Sequence, residues 1–441
     1  MKKLLLFSLL IGSVGFAQTV DDSNTVLLKI DSELSAKMLD PNQNLRKVQI
    51  LLEEKQNGNL KNKSLILGAS LITIFDYQKS NTDSKFAYLM RHPTSNNQIG
   101  TEVSEALVHS FQVSLTGSIN SWISSYAELL YNPEQSFGAG TITALARNQI
   151  QLRKGFVVFG DLNKFPLFAA IGKMDAPFGQ TGSVSPFTNS TLWHAFGGLG
   201  YGAQIGYSKA NFKATFMAVQ GGAQFRALHT PVGDDTNVPS QLNNFTADVN
   251  YTLELGEKTR VTLGASYLHG SAYCQEFPVT HFSACSDNNA AYTYYGKVNY
   301  DDKLILEGGF AKTLDVWKGT HNPTPPLDVF EASKVSSLDL GAKYNLNKDA
   351  DIIYAISGEF SNFKAGPEGA PWERQNQYIL GFSGLINNSS KLFVEFFRTE
   401  GYAPLNWISG SDAFAPFPPG QTHSLNDAMS HGIVVGAQIT F

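Results

Sequence analysis

The last twelve residues of the chain, SHGIVVGAQITF, alternate between apolar and polar or small side chains up to the terminal aromatic residue. Counting back from Phe441, every second position is apolar, at Ile439, Ala437, Val435 and Ile433. In a β-strand this alternation separates an apolar face from a polar face. A final strand that ends on an aromatic residue is typical of bacterial outer-membrane β-barrels, which contact lipid outside and water inside. An edge strand of a soluble β-sandwich is the alternative interpretation of this stretch alone.

The amino terminus favours the membrane interpretation. Residues 1–17 combine Lys2 and Lys3 with an apolar run and the small residues Gly15 and Ala17, which predicts a cleaved secretory signal peptide. No later stretch approaches the roughly 20 apolar residues that a membrane-spanning helix needs. Strands must therefore make any insertion into a membrane. Without the signal peptide, 31 basic residues face 38 acidic ones, and this negative balance argues against nucleic acid as a partner.

Residues 18–63 differ from the rest of the chain because their apolar residues recur at helical spacing among charges. The break at Asp40, Pro41 and Asn42 predicts two short helices rather than one. We expect a helical periplasmic segment, either a coiled coil or a plug below the pore, and a frayed leader is the alternative. The periodic residues are Val26, Leu27, Ile30, Leu34, Met38, Leu45, Val48, Leu51 and Leu52.

From residue 64 onward the chain consists of alternating runs of about ten residues, separated by turn-forming segments. In the run from Phe245 to Leu255, every odd-numbered residue is apolar and every even-numbered residue is polar. Sixteen strands are predicted in the sequence, at 65–77, 105–117, 121–131, 142–160, 166–174, 199–208, 212–220, 243–255, 260–270, 291–300, 303–313, 334–344, 351–361, 375–385, 391–400 and 430–441.

The predicted connections alternate between short turns and long loops, as in barrels with periplasmic turns and external loops. The predicted fold class is therefore an all-β membrane protein: a transmembrane antiparallel β-barrel of about 16 strands over residues 64–441, with a short α-helical N-terminal periplasmic segment. Its location would be the outer membrane of a bacterial cell. A barrel of this size encloses an aqueous channel. The spacings of known catalytic and phosphate-binding motifs are missing from the sequence, so neither an enzyme nor a cofactor is predicted.

The two cysteines, Cys274 and Cys285, lie in one polar segment of an exported chain. Oxidising conditions outside the cytoplasm favour a disulfide between them. A soft-metal site that also uses His281 is the alternative, but a fourth ligand is not evident. The prediction is therefore a disulfide in an external loop and no bound metal.

Charged residues of both signs take the polar positions of the predicted strands, and we expect them to line the lumen. A pore dedicated to phosphate would favour charges of one sign. The mixture instead suggests a larger mixed-charge solute or a weakly selective channel. If they face the lumen, Arg147, Arg153 and Lys173 form one basic patch. The alternative is that they pair with acids such as Glu128. The basic candidates are Arg147, Arg153, Lys173, Lys213, Lys297 and Lys343, and the acidic candidates are Glu128, Asp248, Glu254, Glu307, Asp339, Glu359 and Glu395.

The predicted long loops are rich in aromatic residues and proline. Exposed aromatic side chains are costly in water, so they usually bind a ligand or pack against other groups. Capture of a ligand and burial against neighbouring loops are both open at this point. The candidates for capture are Trp193, His194, Trp317, Trp372 and Trp407.

Several motifs of the chain resemble one group of outer-membrane proteins. These are GKMDAPFG at 172–179, TNST at 188–191, GYG at 200–202, and the closing stretch from Asp427 to Phe441. Together with the predicted helical segment at 18–63, they are similar to the LbtU-type siderophore porins. The resemblance implies a barrel of about sixteen strands that takes up a ferric siderophore without TonB coupling. A general or anion-selective diffusion porin, for example for phosphate, is the alternative.

The partners that follow from this interpretation are a ferric siderophore as solute, outer-membrane lipid, and the barrel assembly machinery that inserts such proteins. The chain is too short for a 22-stranded barrel around a folded plug, which agrees with uptake that does not use TonB. The sequence leaves open which siderophore is carried and whether the barrel is a monomer or a homo-oligomer such as a trimer.

Overall fold

Sixteen antiparallel strands form a closed barrel in the computed structural model of the chain. Each strand pairs with the next, and the last pairs back with the first to close the sheet. The structure describes residues 26–40, 47–83, 86, 100–131, 150–180, 182–221, 238–274, 288–317, 325–348, 350–403, 420, 422 and 424–441.

The strands are close to the predicted ones, and the predicted fold class is confirmed. They are β2 (Ser64–Ser80), β3 (Glu102–Ser118), β4 (Ile123–Tyr131), β5 (Ile150–Phe159), β6 (Leu167–Asp175), β7 (Leu199–Lys209), β8 (Phe212–Val219), β9 (Asn244–Leu255), β10 (Thr259–Leu268), β11 (Ala291–Tyr300), β12 (Leu304–Thr313), β13 (Ser336–Asn345), β14 (Ile352–Lys364), β15 (Arg374–Ile386), β16 (Ser390–Tyr402) and β17 (Leu425–Thr440).

The closing strand has the predicted alternation. Val435 is 40% exposed on the outer face, whereas its neighbour Val434 is completely buried inside. Phe441 exchanges two backbone hydrogen bonds with Ala69 of β2, at 2.8 and 3.1 Å. The two ends of the barrel sequence therefore meet, and the apolar face of the last strand lies on the lipid side, where a bilayer requires it.

Tight turns join the strands at one end of the barrel. Asp301 and Asp302 both have positive φ angles, and so do Asn387 and Asn388. Two consecutive residues with positive φ fit the hairpin turns whose twist matches that of the adjoining strands. The other end carries the long connections, so the predicted alternation of short and long connections holds. We call the first of these the short-turn end.

Two β-bulges interrupt the regular alternation of side-chain directions. One lies opposite Ile72 and Thr73 and gives β3 an extra residue, His109. Strict alternation would put His109 on the same outer face as Phe111, but the bulge turns His109 inward, where it is buried. The second bulge, beside Glu128, makes Arg153 the extra residue of β5. A bulge inserts a residue without a partner and reverses the alternation around it.

The segment before the barrel contains one strand and two helices. Strand β1 (Leu27–Ile30) pairs in parallel with the start of β2, so the helical spacing of residues 26–30 was misleading. Helix α1 (Ser32–Leu39) follows, with Asp31 as its N-cap, and α2 (Lys47–Gln56) comes next. We call α1 and α2 the helical pair. No helix in the described parts of the chain is both long and apolar enough to cross a membrane.

The helical pair packs against the inner face of the barrel. Helix α1 contacts β2, β3 and β17, while α2 contacts β6. The apolar residues of the pair, among them Met38 and Leu51, join a buried cluster with the wall residues Tyr126 and Phe156. A Cβ atom on Gly68 of β2 would lie 2.3 Å from the hydroxyl of Ser35, so this glycine gives α1 the space to approach the wall.

Candidate functional site

The connection between β6 and β7, residues 176–198, folds into the lumen, and we call it the lumen loop. It contains the short helix α3 (Thr191–Phe196), which packs against β12, β13, β14 and β15. The loop thus crosses from β6 to the far wall of the barrel. The resemblance motif GKMDAPFG forms the end of β6 and the start of this loop.

Glu359 on β14 holds one part of the lumen loop. Its carboxylate accepts the hydroxyl of Ser183 and the backbone amides of Val184 and Ser185, the amides at 2.9 and 3.2 Å. A carboxyl group has two oxygens that can accept several hydrogen bonds, so one side chain can hold several groups of the loop. A Cβ atom on the neighbouring Gly341 would lie 2.5 Å from a methyl carbon of Val184. This lumen-facing glycine therefore lets the loop reach the wall.

Glu395 on β16 holds the next part of the loop. It accepts the backbone amides of Phe187 and Thr188 at 2.6 and 3.0 Å, together with the hydroxyl of Thr188. The ring of Phe187 is fully buried, stacks on Phe393 at 5.1 Å and meets the edge of His109 at 5.0 Å. Polar and apolar contacts thus fix the same short stretch of the loop, Phe187 and Thr188.

The last part of the loop is fixed by hydroxyl and amide groups. Thr191 donates its amide to Ser361 at 3.0 Å, and Gln377 donates to the carbonyl of Asn189 at 2.9 Å. His194, on α3, is buried, and burial lowers its pKa to about 3 because a charged imidazolium would lose its hydration there. His194 is therefore neutral while the loop is docked at pH 7.

Ion pairs attach the helical pair to the barrel wall at β4 and β8. Lys47 of α2 pairs with Glu128 of β4, and both side chains are buried. Tyr126 donates to the same carboxylate at 2.9 Å. Burial lowers the pKa of Lys47 to about 8, although Glu128 opposes this shift. Glu53 of α2 additionally pairs with Lys213 of β8 at 2.5 Å.

A cavity of about 290 Å³ remains where the lumen loop, the helical pair and the wall meet. The loop contributes residues 182–186 and Gln180, and the helical pair contributes Asp40 at the end of α1. The wall contributes lysines from three strands, Lys297 of β11, Lys343 of β13 and Lys391 of β16. We call this space the lysine cavity. It lies in the half of the barrel near the short-turn end.

The lysine cavity has a positive balance of charge. Its three lysines face two acids, Asp40 and Glu307, which leaves a formal charge of +1. Lys297 pairs with Glu307 at 3.2 Å and Lys391 with Asp40 at 3.3 Å. Among the described residues, no carboxylate lies within 4.0 Å of the Lys343 amine. Such an amine attracts an anion that enters the cavity, because low-polarity walls strengthen the field inside a narrow space.

Most of the predicted lumen acids are hydrogen-bonded inside the barrel. Glu359 and Glu395 hold the loop, and Glu128 holds Lys47, as described above. Asp248 accepts Ser266 at 2.6 Å and Tyr295 at 2.8 Å. Asp339 is buried as well, whereas Glu254 is exposed. The mixed charge in the sequence therefore serves mainly to dock internal segments, so it is a poor guide to the charge of the solute.

Two of the three residues of the predicted basic patch are described, and each has a partner of its own. Arg147 lies outside the described residues. Arg153 lies 3.8 Å from Glu128. Lys173 donates to the carbonyl of Leu152 at 3.1 Å and lies 5.5 Å from the ring centre of Tyr201. Arg153 and Lys173 thus have separate partners. For Arg153 the partner is Glu128, as the alternative interpretation of the sequence predicts.

The aromatic residues proposed for ligand capture are largely packed among other groups. Trp317 is fully buried and donates to the carbonyl of Ala365 at 3.2 Å. Trp372 is also buried, and Trp193 is partly buried beside His194. Trp407 lies outside the described residues. For Trp317 and Trp372, the contacts correspond to burial between loops rather than to an open binding surface.

The remaining predicted features fall at the edge of the described parts. Cys274 is buried after β10, but Cys285 lies outside the described residues, so the disulfide stays a prediction. The signal peptide at 1–17 also lies outside them.

Sequence reasoning missed Lys391 and Asp40 as site residues. Lys391 has the same parity as Glu395, four residues later, and this signal could have identified it as a lumen residue.

Comparison of the sequence with known proteins identifies a partial relative. No model of a known protein family matches the chain. A UPF0422 protein from Coxiella burnetii (strain RSA 493 / Nine Mile phase I) is 26% identical over 167 residues, or 37% of this chain. The match covers 32% of that relative, so the chain spans about a third of its length.

Two solved structures of outer-membrane channels have a similar fold. The anion-selective porin from Comamonas acidovorans has a TM-score of 0.51 and 12% identity, over 86% of this chain and 99% of that one. Pseudomonas putida OprB, in its high-pH structure, has a TM-score of 0.51 and 9% identity, over 89% of this chain and 96% of that one. The chain has the fold of a porin-type β-barrel, and its location is the bacterial outer membrane.

Proposed function

We propose that the chain is a diffusion porin that favours small anionic solutes, with the lysine cavity as its selective passage. The observation that carries this proposal is the convergence of Lys297, Lys343 and Lys391 on the space left between the lumen loop and the helical pair. Lysines that line a constriction favour anions, because they offer opposite charge where a passing ion has lost part of its water. The structural similarity to an anion-selective porin supports the fold of such a channel.

Uptake of a ferric siderophore, which the sequence resemblance implies, is the second candidate function. In its favour, the motif GKMDAPFG at 172–179, which this resemblance includes, leads into the lumen loop, and this loop narrows the pore. The size of the passage favours smaller solutes, because an iron–siderophore complex is several times bulkier than a small organic anion. A cavity of about 290 Å³ would admit such a complex only after the loop moved.

Liposome swelling tests the proposal with solutes of similar size. We expect the purified barrel to pass gluconate faster than sorbitol, and sorbitol faster than glucosamine. Replacing Lys343 with Gln should remove most of the preference for gluconate. Lys312→Gln is the matched control, because Lys312 lies on the outer-facing positions of neighbouring β12. Equal rates for the three solutes would contradict the anionic preference.

The siderophore alternative has its own measurement. If the lysine cavity is the passage for small anions, adding a ferric hydroxamate complex should leave the gluconate rate unchanged. Saturable uptake of that complex into the liposomes, together with competition against gluconate, would instead support the siderophore role.

A further inference from the structure

The end of helix α1 carries an acid where helix chemistry disfavours one. The C-cap of α1 is Asp40, whose backbone amide donates to Ala36 at 3.0 Å. The carboxyl end of a helix bears partial negative charge, so an acidic side chain there is repelled and a basic one is attracted. A residue that opposes its local preference usually has a compensating partner or a function elsewhere in the fold.

One partner of Asp40 is a lysine of the cavity. Its Oδ2 atom lies 3.3 Å from the amine of Lys391, and both side chains are largely buried, at 16% and 13% exposure. The two residues are 351 positions apart in the sequence. The contact thus connects the end of the helical pair to the barrel wall inside the proposed passage.

The surroundings of Asp40 have the composition of a binding site for a carboxylate. Lys391 and Lys343 supply positive charge, and Ser383 lines the same cavity with a hydroxyl group. Ammonium and hydroxyl donors are the groups that bind carboxylates in proteins. Asp40 supplies such a carboxylate from within the chain.

We propose that the lysine cavity is a binding site for small organic carboxylates and that Asp40 is its internal occupant, which a solute carboxylate displaces from Lys391. This inference rests on the proposed anion channel and names the solute class of the same site. While Asp40 is in place, a solute competes with it for the lysines, so the apparent affinity falls by the fraction of time for which the site is free. Asp40 therefore determines both how tightly carboxylates bind and how strongly the channel selects anions.

The test uses the full-length protein in planar bilayers, with chloride as the current carrier and succinate as the added carboxylate. Asn has nearly the shape of Asp and no charge, so Asp40→Asn should preserve α1 while it removes the competing charge. We expect the succinate concentration that blocks half of the chloride current to fall by about tenfold, as for a site that was free about a tenth of the time. Asp40→Glu, which retains a carboxylate, should behave much like the wild type.

Two further variants separate this inference from the proposed function. Glu33→Gln removes an acid from the exposed face of the same helix and should not change the block by succinate. Lys391→Gln removes a cavity lysine and should weaken the block. Unchanged block in Asp40→Asn would overturn the inference, even if Lys343→Gln still reduced the preference for anions. If neither Asp40→Asn nor Lys343→Gln changed the block or the preference, the proposed anion passage would fail as well.

Discussion

Glu395 on β16 accepts the backbone amide of Phe187 at 2.6 Å, although the two residues lie 208 positions apart in the sequence. A side chain that a sequence pattern places in a water-filled pore is instead a docking point for the lumen loop. Glu359 on β14, two strands from β16, likewise accepts a backbone amide of the loop, that of Val184. The geometry of the passage depends on these two carboxylates, since they hold the loop that narrows it.

Replacing both loop-holding acids should widen the channel. In Glu359→Gln/Glu395→Gln, each side chain keeps one acceptor oxygen where the carboxyl group has two. Each hydrogen bond that is lost is worth about 0.5–1.5 kcal/mol, so we expect the loop to leave the wall and single-channel conductance to increase. Glu400→Gln is the control, because Glu400 pairs with Arg398 on β16 and does not contact the loop. Wild-type conductance in the double variant would show that these acids do not hold the loop.

Acid should loosen the lumen loop through His194. Its pKa in the docked loop is about 3, well below the value of about 6.5 for an unperturbed histidine. The released loop therefore binds a proton between these two pH values and the docked loop does not, so docking is strongest above pH 6.5 and weakens as the pH falls. At pH 5 the loss is about 2 kcal/mol.

Conductance recorded between pH 7.5 and pH 5 measures this effect. The wild type should open further on acidification, and His194→Leu should respond less, because Leu cannot take up a proton. Other acids contribute to both profiles equally, so the difference between the two proteins isolates His194. Superimposable profiles would show that His194 does not govern the docking of the loop.

Removing Lys47 should detach the helical pair from the wall. The variant Lys47→Met leaves the buried Glu128 without its main partner, and breaking a buried ion pair on one side costs about 3–5 kcal/mol. Hydrogen–deuterium exchange over residues 47–56 should become faster. Adding Glu128→Gln should restore much of the protection, whereas the exposed control Lys61→Gln should leave it intact. Slow exchange in Lys47→Met would mean that other contacts suffice to hold α2.

The closing strand should be needed for assembly. Val435→Asp places a charge on the lipid-facing side of β17. Arg or Lys in the lipid belt of a barrel costs about 2–4 kcal/mol near its middle, and Asp costs less but is still unfavourable. We expect less folded barrel in the outer membrane, measured by heat-modifiable migration on gels. Val435→Leu keeps an apolar side chain and should assemble normally. Undiminished folded barrel with Asp at this position would place Val435 away from lipid.

The barrel wall could be predicted from the sequence because one simple requirement governs it. Lipid outside forces every second residue of a strand to be apolar, and the run from Phe245 to Leu255 shows this directly. The bulges at His109 and Arg153 escaped prediction, since one extra residue reverses the alternation without changing composition.

The contents of the lumen were harder to predict. Glu359 and Glu395 are polar positions whether they face water or bind a loop, so alternation does not distinguish these cases. Docking of the lumen loop depends on contacts between residues that are distant in the sequence. The sequence around Asp40 predicts a helix break, which agrees with the position of Asp40 at the end of α1 but reveals nothing about Lys391.

The most direct test of the account is the reversal potential of the purified channel in a gradient of potassium chloride, compared between the wild type, Lys343→Gln and Lys312→Gln. We predict that the wild type and Lys312→Gln share a reversal potential on the anion-selective side. Lys343→Gln should shift toward cation selectivity, because the cavity loses its excess positive charge. A cation-selective wild type, or a reversal potential that Lys343→Gln leaves unchanged, would contradict the assignment of the lysine cavity as the selective passage.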